Sequence, residues 1–465
     1  MEEKLFFYYT NDLHSNFMQW PHVAAFMKDK QSARKVRNES YWMFDIGDHV
    51  DRVHPISEAF MGKANVKLLN DLNYDIVTIG NNEGITLSHE DLFHLYDDAN
   101  FEVVCSNLYS LKQQQPKWLK RTVEIQSIHG VRIGVIGLTA PFNDYYELLD
   151  WHVSHDFMEI DKYVRELKDK TDIIILLSHL GINEDREIAR SYKDIDVIIG
   201  GHTHHLLRTG EVVNNTLITA AGKHCASVGQ VILTWDFKRQ KLTNKEAYAT
   251  NITDYQKDVQ TEQKIRTLEE EAIHELSDTV ISIGKPIEVK WFKHTKIMQE
   301  LTNTLKQHTK AEIAMLNSGL LLDGLKAGNI TYKDIHQICP HPINPVVVKL
   351  TGSELVEVIR ASLTKDFMEL QLKGFGFRGK VLGRMIFSGI NVETDFHSDG
   401  VEYVKGVNLE SGASIEKHKE YTVATADTFT FGRLLPEIAR SETKRYFLPE
   451  FLRDLLADTL RSNFG

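Results

Sequence analysis

Short apolar runs alternate with amphipathic stretches from the start of the chain to about residue 205. This alternation predicts strand and helix units arranged around a sheet. Most of the runs end in a polar or glycine-containing cluster, where a strand passes into a loop. In open α/β sheets, functional groups collect beyond the carboxyl ends of the strands. The predicted strands are LFFYYT, YWMFDIG, YDIVTIG, VRIGVIGLT, TDIIILLSH and DIDVIIGGH.

The segments between these strands have helical patterns. One helix is predicted after Pro55, over ISEAFMGKANVKLLNDL, and another is opened by Ser88, whose side chain is typical of a helix N-cap. Two further apolar runs, NTLITAAGKH and CASVGQVILTWDF, predict a β-meander that closes the domain. We therefore expect a first domain over residues 1–253.

The apolar and polar pattern changes after this point. Residues 254–280 are highly charged with sparse apolar positions, which indicates a solvated linker helix. From residue 281 to 465, helical segments such as WFKHTKIMQELTNTLKQHT again alternate with apolar runs such as AEIAMLNSG and PVVVKLTG. This pattern predicts a second α/β domain.

Composition narrows the class of protein. The 465 residues exceed the usual size of one hydrophobic core, and 42% hydrophobic with 26% charged residues is ordinary for a globular chain. A net charge of -11 without a lysine or arginine cluster argues against binding to a nucleic acid polymer. No apolar run reaches the roughly 18 residues of a membrane span, and the start MEEKLFFYYTND does not resemble a signal peptide. Three widely spaced cysteines give no disulfide pattern, so we expect a reduced, cytoplasmic protein that does not bind a membrane.

Histidine, aspartate and asparagine side chains follow five of the predicted strands. A single such residue at a strand end is usually a hydrogen-bonded turn residue, but five coincidences are hard to explain in that way. The candidate metal ligands are Asp12, His14, Asp48, Asn81, His179, His202 and His204.

The mixture of imidazoles and carboxylates suits borderline divalent ions such as Mn, Zn or Fe, and a carboxylate can bridge two of them. Two such ions can activate a water, hold a phosphoryl oxygen and stabilise a leaving oxygen. Hydrolysis of a phosphate ester is the reaction that this chemistry favours. We therefore expect two divalent metal ions as cofactors and a small-molecule phosphate ester as the substrate.

In this order, the motifs D-x-H, G-D, G-N, a lone histidine after a strand and G-H-x-H resemble those of the calcineurin-like metallophosphoesterases. The resemblance implies a four-layer α/β/β/α sandwich. It also implies that one metal is held by Asp12, His14 and His204 and the other by Asn81, His179 and His202, with Asp48 as the bridge.

The segment NSGLLLDGLKAGNITYKDIHQICPHPINPVVVKLTGSEL resembles the C-terminal domain of bacterial 5'-nucleotidases and UDP-sugar hydrolases, as do FSGINVETD and YTVATADTFTFG. The resemblance implies a second α/β domain of the 5'-nucleotidase type that binds the nucleoside between aromatic rings. It further implies a swing of that domain about a helical linker. Relatives of this family include 2',3'-cyclic phosphodiesterases.

Two motifs depart from the family pattern. Where the family has G-N-H-E-F-D, this chain has Asn82 at the histidine and Ile85 at the aspartate. The acid assistance of that dyad, about 10²–10⁴ in rate, is therefore expected to be missing. The arginine of N-G-G-x-I-R is replaced by Leu322, and the late glycine-rich loop by Phe431-Gly-Arg-Leu-Leu435.

Residues beside the predicted metals are candidates to replace the dyad. Asn82 occupies the position of the dyad histidine, and three polar residues lie within the four positions after Asp48. The candidate catalytic residues are Asn82, His49, Asp51 and Arg52. His205, next to the ligand pair, is a further candidate, and each of these residues is equally consistent with an ordinary loop position.

The C-terminal half offers candidates for substrate binding. The segment GFGFRGK combines aromatics, glycines and cations, so Phe375 and Phe377 can stack on a base while Arg378 contacts phosphate. The alternative is an exposed hairpin. Phe429 and Phe431 lie where the family has a base-stacking ring, although aromatics in strands are more often part of the core.

Three functions agree with these patterns. The first is dimetal-dependent hydrolysis of a nucleotide or nucleotide-like phosphomonoester or phosphodiester, as part of nucleotide catabolism. Loss of the dyad favours diesters or activated esters, whose leaving groups depart more easily. The second is a metal-binding sensor that has lost nucleotidase activity, and the third is hydrolysis of a sulfur-containing ester.

Overall fold

The described chain of this computed structural model comprises residues 2–112, 114–372, 374, 376–398, 402–432 and 434–465. It divides into two units, Met1–Ala272 and Ile273–Gly465. Across the described residues, no helix combines the length and the apolar character needed to cross a membrane.

The first unit is built on two main sheets. Its strands are β1 (Glu2–Thr10), β2 (Ser40–Asp45), β3 (Ile76–Val77), β4 (Glu102–Val104), β5 (Leu108–Ser110), β6 (Leu119–Lys120), β7 (Thr122–Gln126), β8 (Arg132–Thr139), β9 (Trp151–Val153), β10 (Ile173–His179), β11 (Val197–Gly200), β12 (Glu211–Val213), β13 (Thr216–Thr219), β14 (Ser227–Asp236) and β15 (Lys241–Asn251). One sheet has the order β15-β14-β1-β2-β3-β4-β6 and the other β12-β13-β11-β10-β8-β7, while β5 and β9 form a separate pair.

Helices connect the strands of these sheets and lead into the second unit. They are α1 (Trp20–Val36), α2 (Pro55–Ala59), α3 (Lys63–Asp71), α4 (Asn81–Thr86), α5 (His89–Phe93), α6 (Asn143–Tyr146), α7 (Asp156–Lys168), α8 (Ile182–Ser191) and α9 (Val259–Glu275), with a 3-10 turn at Glu147–Leu149. Helix α9 lies within the segment expected to act as a linker, and its linking role stays a prediction.

The alternation of side chains between the two faces of each strand explains how the sheets and helices of the first unit form layers. Leu5, Phe7 and Tyr9 of β1 point into a core shared with Ile175 and Leu177 of β10, so the two sheets pack face to face. On the other face of β1, the guanidinium of Arg34 in α1 lies 3.8 Å from the centre of the Phe6 ring. The outer face of β10 packs on α7 and α8 through a second apolar cluster. The predicted four-layer α/β/β/α sandwich is confirmed.

Two local predictions in this unit are wrong. The helix expected after Pro55 is interrupted between α2 and α3, where Gly62 adopts a left-handed φ of 81°. The expected meander is absent from the described strands, since β13 pairs with β11 in one sheet and β14 with β1 in the other. The connection from β13 to β14 therefore crosses between the sheets. The capping role of Ser88 is confirmed, because its hydroxyl accepts the Asp91 N–H at 3.1 Å.

The second unit is also α/β. Its strands are β16 (Thr279–Ile283), β17 (Ile313–Asn317), β18 (Gly328–Thr331), β19 (Pro345–Thr351), β20 (Met385–Ser388), β21 (Ile390–Phe396), β22 (Glu402–Leu409), β23 (Glu420–Ala426) and β24 (Lys444–Tyr446). Its helices are α10 (Lys296–Thr309), α11 (Tyr332–Ile338), α12 (Gly352–Ser362), α13 (Lys365–Glu369), α14 (Pro436–Arg440) and α15 (Leu452–Asn463), with 3-10 turns at Ser318–Leu320 and Asp427–Thr430. The main sheet has the order β20-β17-β23-β19-β24, and two strand pairs, β16-β18 and β21-β22, flank it. The predicted second α/β domain is confirmed.

Candidate dimetal site

The predicted ligands lie at the carboxyl ends of neighbouring parallel strands. β1, β2 and β3 are adjacent in one sheet, and β10 and β11 are adjacent in the other. Because the two sheets pack face to face, the loops that follow these strands meet at one edge of the sandwich. The residues on these loops or strand ends are Asp12 and His14 after β1, Asp48 after β2, Asn81 after β3, His179 in β10, and His202 and His204 after β11.

Asp12, His14 and His204 form one group of possible ligands, whose ligand atoms all lie within 4.8 Å of one another. The Nε2 atoms of His14 and His204 are 3.0 Å apart, and the His204 Nε2 is 3.4 Å from an Asp12 oxygen. Asp12 is completely buried. The three side chains therefore converge on a common point, as the ligands of one cation do.

Asp12, Asp48 and His179 form a second group within the same distance limit. The His179 Nε2 is 3.3 Å from one Asp48 oxygen, while the other Asp48 oxygen is 3.7 Å from the His14 Nε2. Asp48 thus faces a histidine of each group, as a bridging carboxylate must. Asp12 belongs to both groups, although the family resemblance implies only one metal for it.

Asn81 and His202 complete the cluster. The Asn81 Oδ1 is 2.8 Å from the His202 Nδ1, and the His202 and His179 rings lie 5.3 Å apart. Burial lowers the pKa of His202 to about 4, so its imidazole is neutral near pH 7 and can act as a ligand. The structure thus brings all seven predicted side chains together.

The surroundings of His179 favour a positive charge in the site. Its ring Nδ1–H donates to the Ile46 carbonyl oxygen at 2.7 Å, which leaves Nε2 as the nitrogen that faces Asp48, 3.3 Å away. The Nε2 is buried and finds no hydrogen-bond partner in the described part of the chain. Burial favours the neutral ring, but the Asp48 carboxylate outweighs it and raises the pKa of His179 to about 10. A bound cation would take the place of this proton.

The two buried carboxylates, Asp12 and Asp48, favour a positive charge as well. Burial acts to raise the pKa of Asp48, but His179 and His14 lower it below the usual range, and the pKa of Asp12 is also lowered. Two charged carboxylates are therefore buried in one small volume, which is costly without a compensating cation. Imidazole, carboxylate and amide donors without thiolates fit divalent ions such as Mn, Zn or Fe.

The backbone around the ligands is strained. Five of the seven predicted ligands, Asp12, His14, Asp48, His202 and His204, have φ between 48° and 68°. This left-handed region is uncommon for residues other than glycine and clusters at functional sites. The loops are also very close, because a Cβ on Gly80 would lie 2.2 Å from the Asp48 Oδ1.

Glu83 holds these loops and was missed by the sequence analysis. It is fully buried, and one of its oxygens accepts the Asp48 and Gly80 N–H groups at 3.0 Å each, while the other accepts the Val50 N–H at 2.8 Å. Burial raises the pKa of Glu83 to about 7. The signal that could have revealed it is an acid three residues after Gly80, the spacing of a helix capping box.

Two of the four predicted catalytic residues lie beside the cluster. The Asn82 Nδ2 is 3.0 Å from the His14 Nδ1, and an Asp51 oxygen is 3.6 Å from the same nitrogen. Both residues therefore lie behind His14, on the side away from His204. This geometry suits residues that orient a ligand, and their catalytic role stays a prediction.

The structure does not bring His49 or Arg52 to the ligand groups. The His49 ring packs edge-on against Trp20 with 4.9 Å between ring centres, and burial lowers its pKa to about 3. Arg52 donates to both oxygens of Glu58 at 2.8 and 3.0 Å. These positions do not support a proton donor at His49, and the Arg52 guanidinium is engaged in an ion pair. His205 is exposed, with its Nδ1 2.9 Å from the Thr203 hydroxyl.

The predicted substrate-binding residues belong to the second unit. Phe429 is completely buried, with its ring 6.2 Å from that of Phe367, so it cannot stack on a base in this conformation. Phe377 is 2% exposed and stacks on His341 at 5.2 Å, which also corrects the expectation of an open stacking ring. Both rings are buried because they fill the apolar core of this unit. Arg378 is exposed, Phe431 is half-buried, and Phe375 lies outside the described residues.

Comparison with known proteins gives a family match in each of the two units. Residues 7–206 match the calcineurin-like phosphoesterase family, and residues 274–433 match the 5'-nucleotidase C-terminal domain. The chain is 44% identical over 459 residues to the uncharacterized metallophosphoesterase YunD of Bacillus subtilis (strain 168), covering 98% of this chain and 99% of that protein.

More distant relatives extend the likeness. A 5'-nucleotidase of Vibrio cholerae is 23% identical over 426 residues, which cover 78% of this chain and 76% of that protein. The structure of the Haemophilus influenzae NAD nucleotidase has the same fold, with a TM-score of 0.68 at 16% identity, and the match covers 100% of this chain and 97% of that one. The protein therefore belongs to the calcineurin-like metallophosphoesterases, a family of metal-dependent phosphoesterases, and carries a 5'-nucleotidase C-terminal domain.

Proposed function

We propose that this protein hydrolyses a nucleotide or nucleotide-like phosphate ester with two divalent metal ions, Mn, Zn or Fe. The observation that carries the proposal is the position of Asp48 between the two ligand groups, with one oxygen 3.3 Å from His179 and the other 3.7 Å from His14. A carboxylate shared in this way is what a two-metal site needs. Such ions supply an activated water and neutralise charge on the phosphoryl oxygens.

The protein's own residues would prepare the site for this chemistry. Asn81, His179 and His202 would hold one ion, and Asp12, His14 and His204 would hold the other. The Ile46 carbonyl fixes the tautomer of His179, and Glu83 fixes the loop that carries Asp48. The ligands are thus held in place before the substrate arrives, which reduces the reorganisation required during reaction.

The nucleotide class of the substrate is supported by the relatives. The C-terminal unit matches the 5'-nucleotidase C-terminal domain, and relatives named 5'-nucleotidase and NAD nucleotidase share the two-domain chain. Asn82 lies where the family has its dyad histidine, so acid assistance to a poor leaving group is reduced. We therefore propose a preference for phosphodiesters or activated esters over nucleoside monophosphates.

A substrate panel tests this proposal. Metal-stripped protein is resupplied with Mn²⁺, Zn²⁺ or Mg²⁺ and assayed on bis-p-nitrophenyl phosphate, p-nitrophenyl phosphate, AMP, 2',3'-cyclic AMP and UDP-glucose. The expected result is hydrolysis restored by a transition metal, with diesters or nitrophenyl esters cleaved faster than AMP. No hydrolysis with any metal, in protein that binds two ions, would contradict the proposal and favour a metal-binding sensor.

A further inference from the structure

The loop between β13 and β14 carries a histidine that borders the predicted metal site. The His224 ring lies 5.9 Å from the His14 ring, with the two planes at 87°. His224 belongs to neither of the two ligand groups found among the described residues. It is thus a neighbour of the site that the family motifs do not include.

Hydrogen bonds tie this loop to the ligand loop after β1. The Asn11 side chain donates to the Gly222 carbonyl at 2.7 Å and accepts the Ala221 N–H at 3.1 Å. The His224 N–H donates to the Asp12 carbonyl at 2.7 Å. Because Asn11 and Asp12 are adjacent, the backbone position of His224 is coupled to that of a predicted ligand.

The loop also holds an uncommon backbone conformation. His224 and Cys225 have φ of 57° and 50°, two successive left-handed residues that are not glycine. Such a conformation is unfavourable for residues other than glycine and persists where the surrounding structure enforces it. The Cys225 side chain is buried, whereas His224 is half-buried.

We propose that His224 binds the phosphate group of the substrate through a ring N–H. This proposal rests on the proposed function, because it requires a phosphate ester beside the predicted ions. A neutral imidazole always carries one N–H donor, so the contact does not depend on protonation of the ring. The family pattern has a histidine and an arginine at two positions that are Asn82 and Leu322 in this chain. The histidine and the arginine of the family are therefore not available here to bind the phosphate.

Two variants distinguish the effect of losing the ring N–H of His224 from the effect of disturbing its backbone conformation. Glycine and asparagine both accept a left-handed φ, so His224→Gly removes the donor and His224→Asn keeps one without added strain. The control is His129→Ala, because His129 is exposed and precedes β8, whereas the other end of that strand, Thr139, pairs with the predicted ligand His179. Each variant is loaded with Mn²⁺, its metal content is measured, and the dissociation constant for inorganic phosphate is determined by calorimetry.

We expect an unchanged number of ions in all variants. Phosphate affinity should fall roughly tenfold or more in His224→Gly, the size of a lost hydrogen bond to a charged group, and should be largely kept in His224→Asn and His129→Ala. Wild-type affinity in His224→Gly would overturn the proposal, as would loss of an ion from that variant or no phosphate binding by the metal-loaded wild type.

The outcome is separable from that of the substrate panel. If the wild type hydrolyses no ester but binds phosphate through His224, the hydrolytic function fails while the His224 contact stands. If the wild type hydrolyses esters and His224→Gly binds phosphate normally, the function stands and the contact fails.

Discussion

Replacing Asp48 with asparagine removes the charge that links the two ligand groups while keeping the size of the side chain. The Asp48 Oδ1 also accepts the Asn82 N–H at 2.7 Å, a bond that the asparagine carbonyl can keep. The carboxylate lies 3.3 Å from the His179 Nε2 and 3.7 Å from the His14 Nε2. At such separations, with an effective dielectric constant of about 20, one pair of unit charges is worth about 4–5 kcal/mol.

That energy corresponds to at least about a 10³-fold loss of affinity for an ion at either position. The assay is the number of bound ions per chain, together with kcat/KM on bis-p-nitrophenyl phosphate. Asp45→Asn is the matched control, because Asp45 is an equally buried carboxyl that belongs to neither of the two ligand groups found among the described residues, and burial raises its pKa well above the usual value. We expect Asp48→Asn to lose ions and activity and Asp45→Asn to retain both. Retention of two ions with unchanged hydrolysis by Asp48→Asn would refute the bridging role.

Two further substitutions test residues that support the ligands. Asn82→Ala removes an amide 3.0 Å from the His14 Nδ1, so metal affinity should fall about 10–100-fold in a chelator competition; an unchanged affinity would contradict the positioning role. Asp185, which accepts the Ser178 hydroxyl at 2.5 Å, has its pKa raised to about 8 by burial. The folded wild type therefore retains a proton that the unfolded chain releases above about pH 4. As the pH rises from about 4 to 8, we expect the free energy of unfolding of the wild type to fall relative to that of Asp185→Asn. The expected fall is up to about 1.4 kcal/mol per pH unit. Parallel melting temperatures for the two proteins across that range would show that Asp185 is not buried as a neutral acid.

The strand ends of the first unit were predictable because most of its short apolar runs give way to a polar or glycine-containing cluster. From this placement alone, the seven candidate ligands were expected to lie close together. The neighbour of each strand within the sheets was harder to predict than its end. The runs before and after Gly222 are both apolar, and nothing local distinguishes a hairpin from a crossing between sheets, which depends on β11 and β1.

The roles of individual side chains were harder to predict, because they depend on how the side chains pack, which a sequence pattern does not describe. Gly84 replaces a family phenylalanine, and in the structure a Cβ there would lie 2.0 Å from the Tyr146 hydroxyl, so a residue from α6 fills that space. Phe429 follows the family motif but is buried against Phe367. Arg52 lies only four residues after Asp48, yet the nearby carboxylate of Glu58 determines the direction of its side chain. Each of these outcomes is decided by residues distant from the motif or by neighbouring side chains.

The central claim is that two ions on one shared carboxylate make this protein a phosphoesterase. The most direct measurement is a titration of metal-stripped wild type with Mn²⁺ in which bound ions per chain and hydrolysis of bis-p-nitrophenyl phosphate are followed in the same samples. We predict that hydrolysis rises with occupancy and reaches its maximum at two ions per chain. Hydrolysis that is independent of added metal, or two bound ions without hydrolysis, would contradict the claim.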